Sequence, residues 1–122
     1  MVVAAAYDSA YACPLKVRIL NTDLPAEDTN LFEPIQFTGM PLTSGILEIW
    51  FVAEVAGTLS LVRTNGSATV TEALGVATAG KALPVNVPII AGDIVTLQYS
   101  NTGGKLLNLT VSDVTPINVR VK

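Results

Sequence analysis

Carboxylates are the most abundant ionisable side chains in this sequence, and several of them cluster. Asp23, Glu27, Asp28 and Glu33 fall within one short stretch, and oxygen ligands on a flexible loop are what calcium prefers. Their spacing matches no EF-hand, and an acidic loop is most often simply solvated. No metal is therefore expected, and a melting temperature that is the same in calcium and in chelator would confirm it. Glu48 and Glu54 share one face of a predicted strand, six residues apart. At strand rise that is about 20 Å, against roughly 5–9.5 Å for the paired carboxylates of glycosidases, so they read as solubilising charges on an outer face. Histidine is absent and Cys13 is the single cysteine. This removes Cys/His zinc sets, Cys–His nucleophiles and histidine general bases together. The chain is expected to be no enzyme and to need no cofactor.

The residues that invite a function are apolar instead. Trp50 shares with Ile46 and Val52 the strand face that Glu48 and Glu54 mark as outward. An apolar stripe facing outward suggests contact with another surface, either a subunit interface or a platform on which sugars stack; the plainer alternative is cover by a strand, loop or the amino-terminal arm of the same chain. Two N-glycosylation patterns, at Asn65 and Asn108, inform only if the chain is secreted by a glycosylating cell. Asn65 also fits a hairpin turn, and Asn108 the polar side of its strand.

These residues must be positioned by strands, because the hydrophobic pattern repeats every two residues and nowhere every 3.6 over a helical length. Leu15, Val17 and Ile19 alternate with Lys16 and Arg18. Residues 21–34, with two prolines and four carboxylates, read as a surface loop. A short strand is expected over 35–38, then a longer one over 46–55 whose odd positions, Leu47 to Val55, face the core. Asn65-Gly66 is a strong hairpin signal with both residues able to take the positive φ of a type I′ turn; it would join strands over 58–64 and 69–74. Residues 75–83 read as a connection. Further strands are expected over 85–90, with Pro88 demanding an edge or a bulge, over 94–100, over 106–114 with Leu107, Leu109 and Val111 on one face, and over 117–122. Eight or nine short strands separated by turns predict an all-β antiparallel sandwich, with a jelly roll as the preferred topology.

The 122 residues fit one domain, divided here into an amino-terminal arm, 1–13, and a sandwich, 14–122. Val2, Val3 and Tyr7 in that arm join Trp50, Ile46 and Val52 as candidate oligomer contacts. The apolar run at the start lacks the basic flank and length of a signal or a membrane span, so no membrane insertion is expected. Seven basic residues against ten acidic ones give a formal charge of −3, which leaves no surplus for phosphates, and nucleic acid is not an expected partner. Only 14% of residues are charged, where about 25% is typical. A surface of about 6,300 Å² with so few charges has large neutral areas, and burial in a symmetric assembly would account for them.

Residues 45–47, the run GTLSLVRT at 57–64, residues 69–74 and the run AGDIV at 91–95 continuing through Tyr99 and Ser100 resemble, in that order, the small jelly-roll-like domains of virion structural proteins from thermophilic archaeal and bacterial viruses. These include turret, spike and capsid-decoration proteins. The resemblance spans roughly residues 45–114. It implies a non-enzymatic building block made in the host cytoplasm and carried in the virion, self-associating as a trimer or pentamer and docking on other capsid proteins. Two alternatives stand beside it. One is an extracellular surface filament in which residues 2–7 donate a strand to the next subunit. The other is a carbohydrate-binding β-sandwich module that stacks sugars on Trp50 and on Tyr7, Tyr11 or Tyr99.

Overall fold

The computed structural model describes residues 15–37 and 44–113. Eight strands follow one another: β1 (Leu15–Asp23), β2 (Ile35–Gln36), β3 (Ser44–Ala53), β4 (Gly57–Asn65), β5 (Ala68–Ala77), β6 (Leu83–Ile90), β7 (Ile94–Tyr99) and β8 (Lys105–Asp113). They form two antiparallel sheets, in the orders β1-β8-β3-β6 and β2-β7-β4-β5. The pairs β1 with β8, β2 with β7, β3 with β6 and β4 with β5 nest inside one another, as in one long hairpin rolled up on itself. That nesting, closed by β3 with β8 and β4 with β7, is the eight-stranded jelly roll. The arm of residues 1–13, with Val2, Val3, Tyr7 and Tyr11, and the expected strand over 117–122 lie outside the described residues.

The alternation of β3 decides which of its residues are core. Leu47, Ile49, Phe51 and Ala53 are buried, and they meet Leu59 and Leu61 of β4, Val95, Leu97 and Tyr99 of β7, Val87 and Ile89 of β6, and Leu109 and Val111 of β8 in one cluster. Val55 is only half-buried, because β3 ends at Ala53 and the chain bends before β4. Tyr99, 1% exposed, packs its ring 4.7 Å from that of Phe51 and donates its hydroxyl to the Val55 carbonyl at 2.6 Å. Gly57 permits this: a Cβ there would stand 2.8 Å from Tyr99 Cζ. Burial pushes the Tyr99 phenol above its ordinary pKa.

Several local expectations are corrected. The hairpin turn is Gly66-Ser67, not Asn65-Gly66. Asn65 pairs with Ala68 as the last strand residue, and of the two turn residues only Gly66 has positive φ, 66°, which fits a type II′ turn. β5 runs on to Ala77, through residues read as a connection. A register shift opposite Leu59 and Ser60 lets it continue, and the bare Cα of Gly75 leaves room for Leu83. β8 turns Leu106 rather than Leu107 into the core, because its register against β3 slips between Val52 and Ala53 and an extra residue is taken up there. The acidic stretch is not a free loop. β1 extends to Asp23, Leu24 is buried, and the following residues are tied to β7 by Asp28 N–H to the Tyr99 carbonyl and Leu31 N–H to the Leu97 carbonyl, both 2.8 Å.

Candidate functional site

The outer face of the β1-β8-β3-β6 sheet gathers the apolar residues that period-2 alternation turns away from the core. On β3 these are Ile46, 43% exposed, Trp50, 46% exposed, and the half-buried Val52. The three residues named from the sequence therefore stand on one face, Ile46 and Trp50 exposed and Val52 half-buried. The registers complete the surface. Trp50 lies between Pro84 of β6 and Thr110 of β8, Ile46 beside Pro88, Glu48 between Asn86 and Ser112, and Val52 beside Asn108. Beyond β8, Arg18 and Leu20 of β1 stand next to Thr110 and Asn108. An apolar strip of Ile46, Trp50, Pro84, Pro88 and the exposed Ile90 thus runs along β3 and β6, with Glu48 and Asn86 as a polar notch within it. A depression of about 360 Å³ opens at this notch, lined by Glu48, Trp50, Pro84, Val85 and Asn86.

The β6 half of this strip was missed in the sequence, although a signal was there. In LPVNVPII the valines at 85 and 87 alternate with Pro84, Asn86 and Pro88, so the prolines had to face outward once the valines faced in. Pro88 was expected at an edge or bulge, and β6 is an edge strand.

The other candidates come apart. Glu54 does not share the face of Glu48. It lies in the bend after β3, where its Oε1 accepts the Lys105 N–H at 2.7 Å. Asp23 faces Lys105 Nζ at 3.3 Å, and these residues border a second depression of about 420 Å³ with Thr102, Gly103 and Gly104. Among the described residues no three carboxylate or thiol groups come together as metal ligands. Tyr99 is buried and offers no ring for stacking.

One polar cluster escaped the sequence reading. Asp93, read as a turn residue, is fully buried. Its carboxylate accepts from Arg63 Nη1 at 2.8 Å, from Asn65 Nδ2 at 2.8 Å and from the Ile90 N–H at 2.9 Å. Desolvation would raise its pKa, but the Asn65 and Ile90 hydrogen bonds and the Arg63 charge together hold it below the ordinary carboxylate value. Arg63 also donates to the Pro88 carbonyl at 3.0 Å and faces Glu72 at 3.5 Å. The cluster clips the β6–β7 turn, which joins the two sheets, to the end of β4. With its lone pairs and donors already engaged, it is structural, and it also occupies the Asn65 amide of the first glycosylation pattern.

Fold and surface together define a jelly-roll β-sandwich module with one open, aromatic-centred sheet face. No protein-family model matches the chain, and no curated protein matches it. Among solved structures it is similar to the Podospora anserina GH26-CBM35 beta-(1,4)-mannanase, with a TM-score of 0.36 and 11% identity over 88% of this chain. It is also similar to CBM35 from Paenibacillus barcinonensis, with a TM-score of 0.36 and 16% identity over 80% of this chain and 90% of that one. The chain spans 27% of the mannanase. Likenesses this loose define no family, and the jelly roll rests on the strand pairing itself.

Proposed function

We propose that this protein works without catalysis, as an assembly module whose working surface is the outer β1-β8-β3-β6 face. Its occupant is another protein subunit, in the setting of a virion shell, where the chain serves as a decoration, turret or spike component. The observation that carries this reading is the strip of Ile46, Trp50, Pro84, Pro88 and Ile90. Exposed apolar surface joined across two strands is what subunit contacts bury, and tryptophan is the residue most enriched at their centres. The low charge of the whole chain supports it. Light scattering after size exclusion tests it: a closed oligomer is expected for the wild type, and Trp50→Ala is expected to lower its mass. An unchanged mass would remove this face from assembly.

A second reading is favoured by the notch. Trp50 supplies a stacking ring, and Glu48 and Asn86 supply hydrogen-bonding groups beside it, the combination with which a sandwich face holds a sugar. On this reading the chain is a carbohydrate-binding module at the cell exterior. Binding to a panel of polysaccharides that is lost in both Trp50→Ala and Asn86→Ala would favour it over assembly, and silence across the panel would retire it.

A further inference from the structure

Among the described residues, three of the four sheet margins carry several features that hinder further pairing and the fourth carries fewer. A free margin exposes unpaired N–H and C=O groups, and proteins blunt it with proline, charge, bulges or brevity. β1 carries Lys16 and Arg18, a register slip between Leu15 and Val17, and Asn21 at a φ of 47°. β2 is two residues long. On β6, Pro84 and Pro88 have no N–H to offer, the Ile90 N–H is taken by Asp93, and the Pro88 carbonyl is taken by Arg63. Between Ala68 and Ala73 β5 has no proline and no bulge, and its one charge, Glu72, faces Arg63 of β4 at 3.5 Å; it pairs there with β4 in unbroken register and, among the described residues, has no partner strand on its other side.

The two-residue turn fixes which groups are open. The closing pair of such a hairpin, Asn65 and Ala68, is hydrogen-bonded, and the pattern alternates from there. Ala68, Val70 and Glu72 therefore turn their main-chain groups to β4, whereas Thr69, Thr71 and Ala73 turn theirs outward. We propose that this margin pairs antiparallel with β5 of a second copy of the chain, about a twofold axis at Thr71. Its own sequence suits it to itself. That register sets Thr69 opposite Ala73 and Val70 opposite Glu72, forms about six main-chain hydrogen bonds and brings no like charges face to face. The exposed valines at position 70 then lie diagonally across the axis on one face, and so do the two Glu72 carboxylates, each of which faces Arg63 of its own chain at 3.5 Å. A slip that set Glu72 opposite Glu72 is disfavoured by repulsion. The result is a continuous eight-stranded sheet, isologous as a twofold contact must be.

The inference rests on the assembly reading but uses a surface separate from the Trp50 face, so the two can fail separately. Thr71→Pro removes an outward N–H and leaves the β4 ladder whole. Thr71→Lys keeps every backbone donor and sets two ammonium groups at the axis. Sedimentation equilibrium on the full chain is expected to show each variant at half the wild-type mass, with the pairing weakened at least tenfold, while Trp50→Ala leaves a two-copy particle. Wild-type mass in both Thr71 variants would overturn the β5 contact and leave the Trp50 face standing. A halved mass in the Thr71 variants with Trp50→Ala at full wild-type mass would do the reverse, and a wild type that stays monomeric would overturn the β5 contact.

Discussion

The outsides of the two sheets are built from the same alternation and differ in how their apolar residues are gathered. On the β2-β7-β4-β5 sheet the outward positions hold Ser60, Thr64, Thr69, Thr71, Thr96 and Gln98 beside Val62, Ile94 and Val76, the last 73% exposed, and several of the polar groups find partners. Thr64 and Thr69 share a hydrogen bond of 3.0 Å, Thr96 donates to the Phe32 carbonyl at 2.7 Å, and Gln98 donates to Asn30 at 3.0 Å. On the β1-β8-β3-β6 sheet an exposed apolar strip of Ile46, Trp50, Pro84, Pro88 and Ile90 runs beside polar positions on β8. The polar groups of the first face are largely paired within the chain; the strip around Trp50 exposes apolar surface whose burial would release about 25 cal/mol per Å². That difference is why the Trp50 face is the one proposed for assembly.

The comparison is broken most severely by exchanging the inside of β3 for its outside. Phe51 and Trp50 are neighbours on opposite faces, and Phe51→Ala is expected to cost about 4 kcal/mol of stability through the cavity it leaves. Trp50→Ala should cost about 1 kcal/mol or less. Urea unfolding of the two variants measures both, and a Trp50 variant as damaged as the Phe51 one would mean that Trp50 is a core residue of the fold.

Next comes the clip that holds the two sheets in relation. Asp93→Ala leaves the partly buried Arg63 with only the Pro88 carbonyl and Glu72, takes an acceptor from the Asn65 amide and from the Ile90 N–H, and should cost about 3 kcal/mol. The same carboxylate has a lowered pKa in the fold, so its contribution is present above its ordinary value of 3.8 and is lost as pH falls through the folded value. Thermal melts from about pH 5 downward should therefore fall more steeply for the wild type than for Asp93→Asn. Parallel curves would show that Asp93 contributes no pH-linked stability. Gly57→Ala ranks third, at about 2 kcal/mol, because its Cβ would press on the Tyr99 ring at 2.8 Å; a neutral result would mean that the ring yields freely.

Much of the architecture was legible in the sequence because it follows from local alternation. The odd positions of 47–53 and the set Val95, Leu97 and Tyr99 are core for that reason, and Pro88 announces an edge strand. What was not legible depends on partners distant in the chain. Whether Leu106 or Leu107 faces inward is settled by a slip against Val52 and Ala53, and the length of β5 by the room that Gly75 leaves for Leu83. The tie of residues 28–31 to β7 and the burial of Asp93 by Arg63 and Asn65 are likewise contacts across dozens of residues. At the candidate site the β3 half was visible as an outward apolar triplet. Its β6 half required knowing that Trp50 stands opposite Pro84.

Trp50 is the chain's single tryptophan, so its fluorescence reports on this face alone. The most direct test follows acrylamide quenching and emission maximum over a concentration series, beside absolute mass on the same samples. If the face is the assembly surface, quenching falls and emission shifts to the blue in step with rising mass, and dilution reverses both. If mass rises while Trp50 stays as quenchable as in the monomer, the copies meet elsewhere and the account of this face as the assembly surface is wrong.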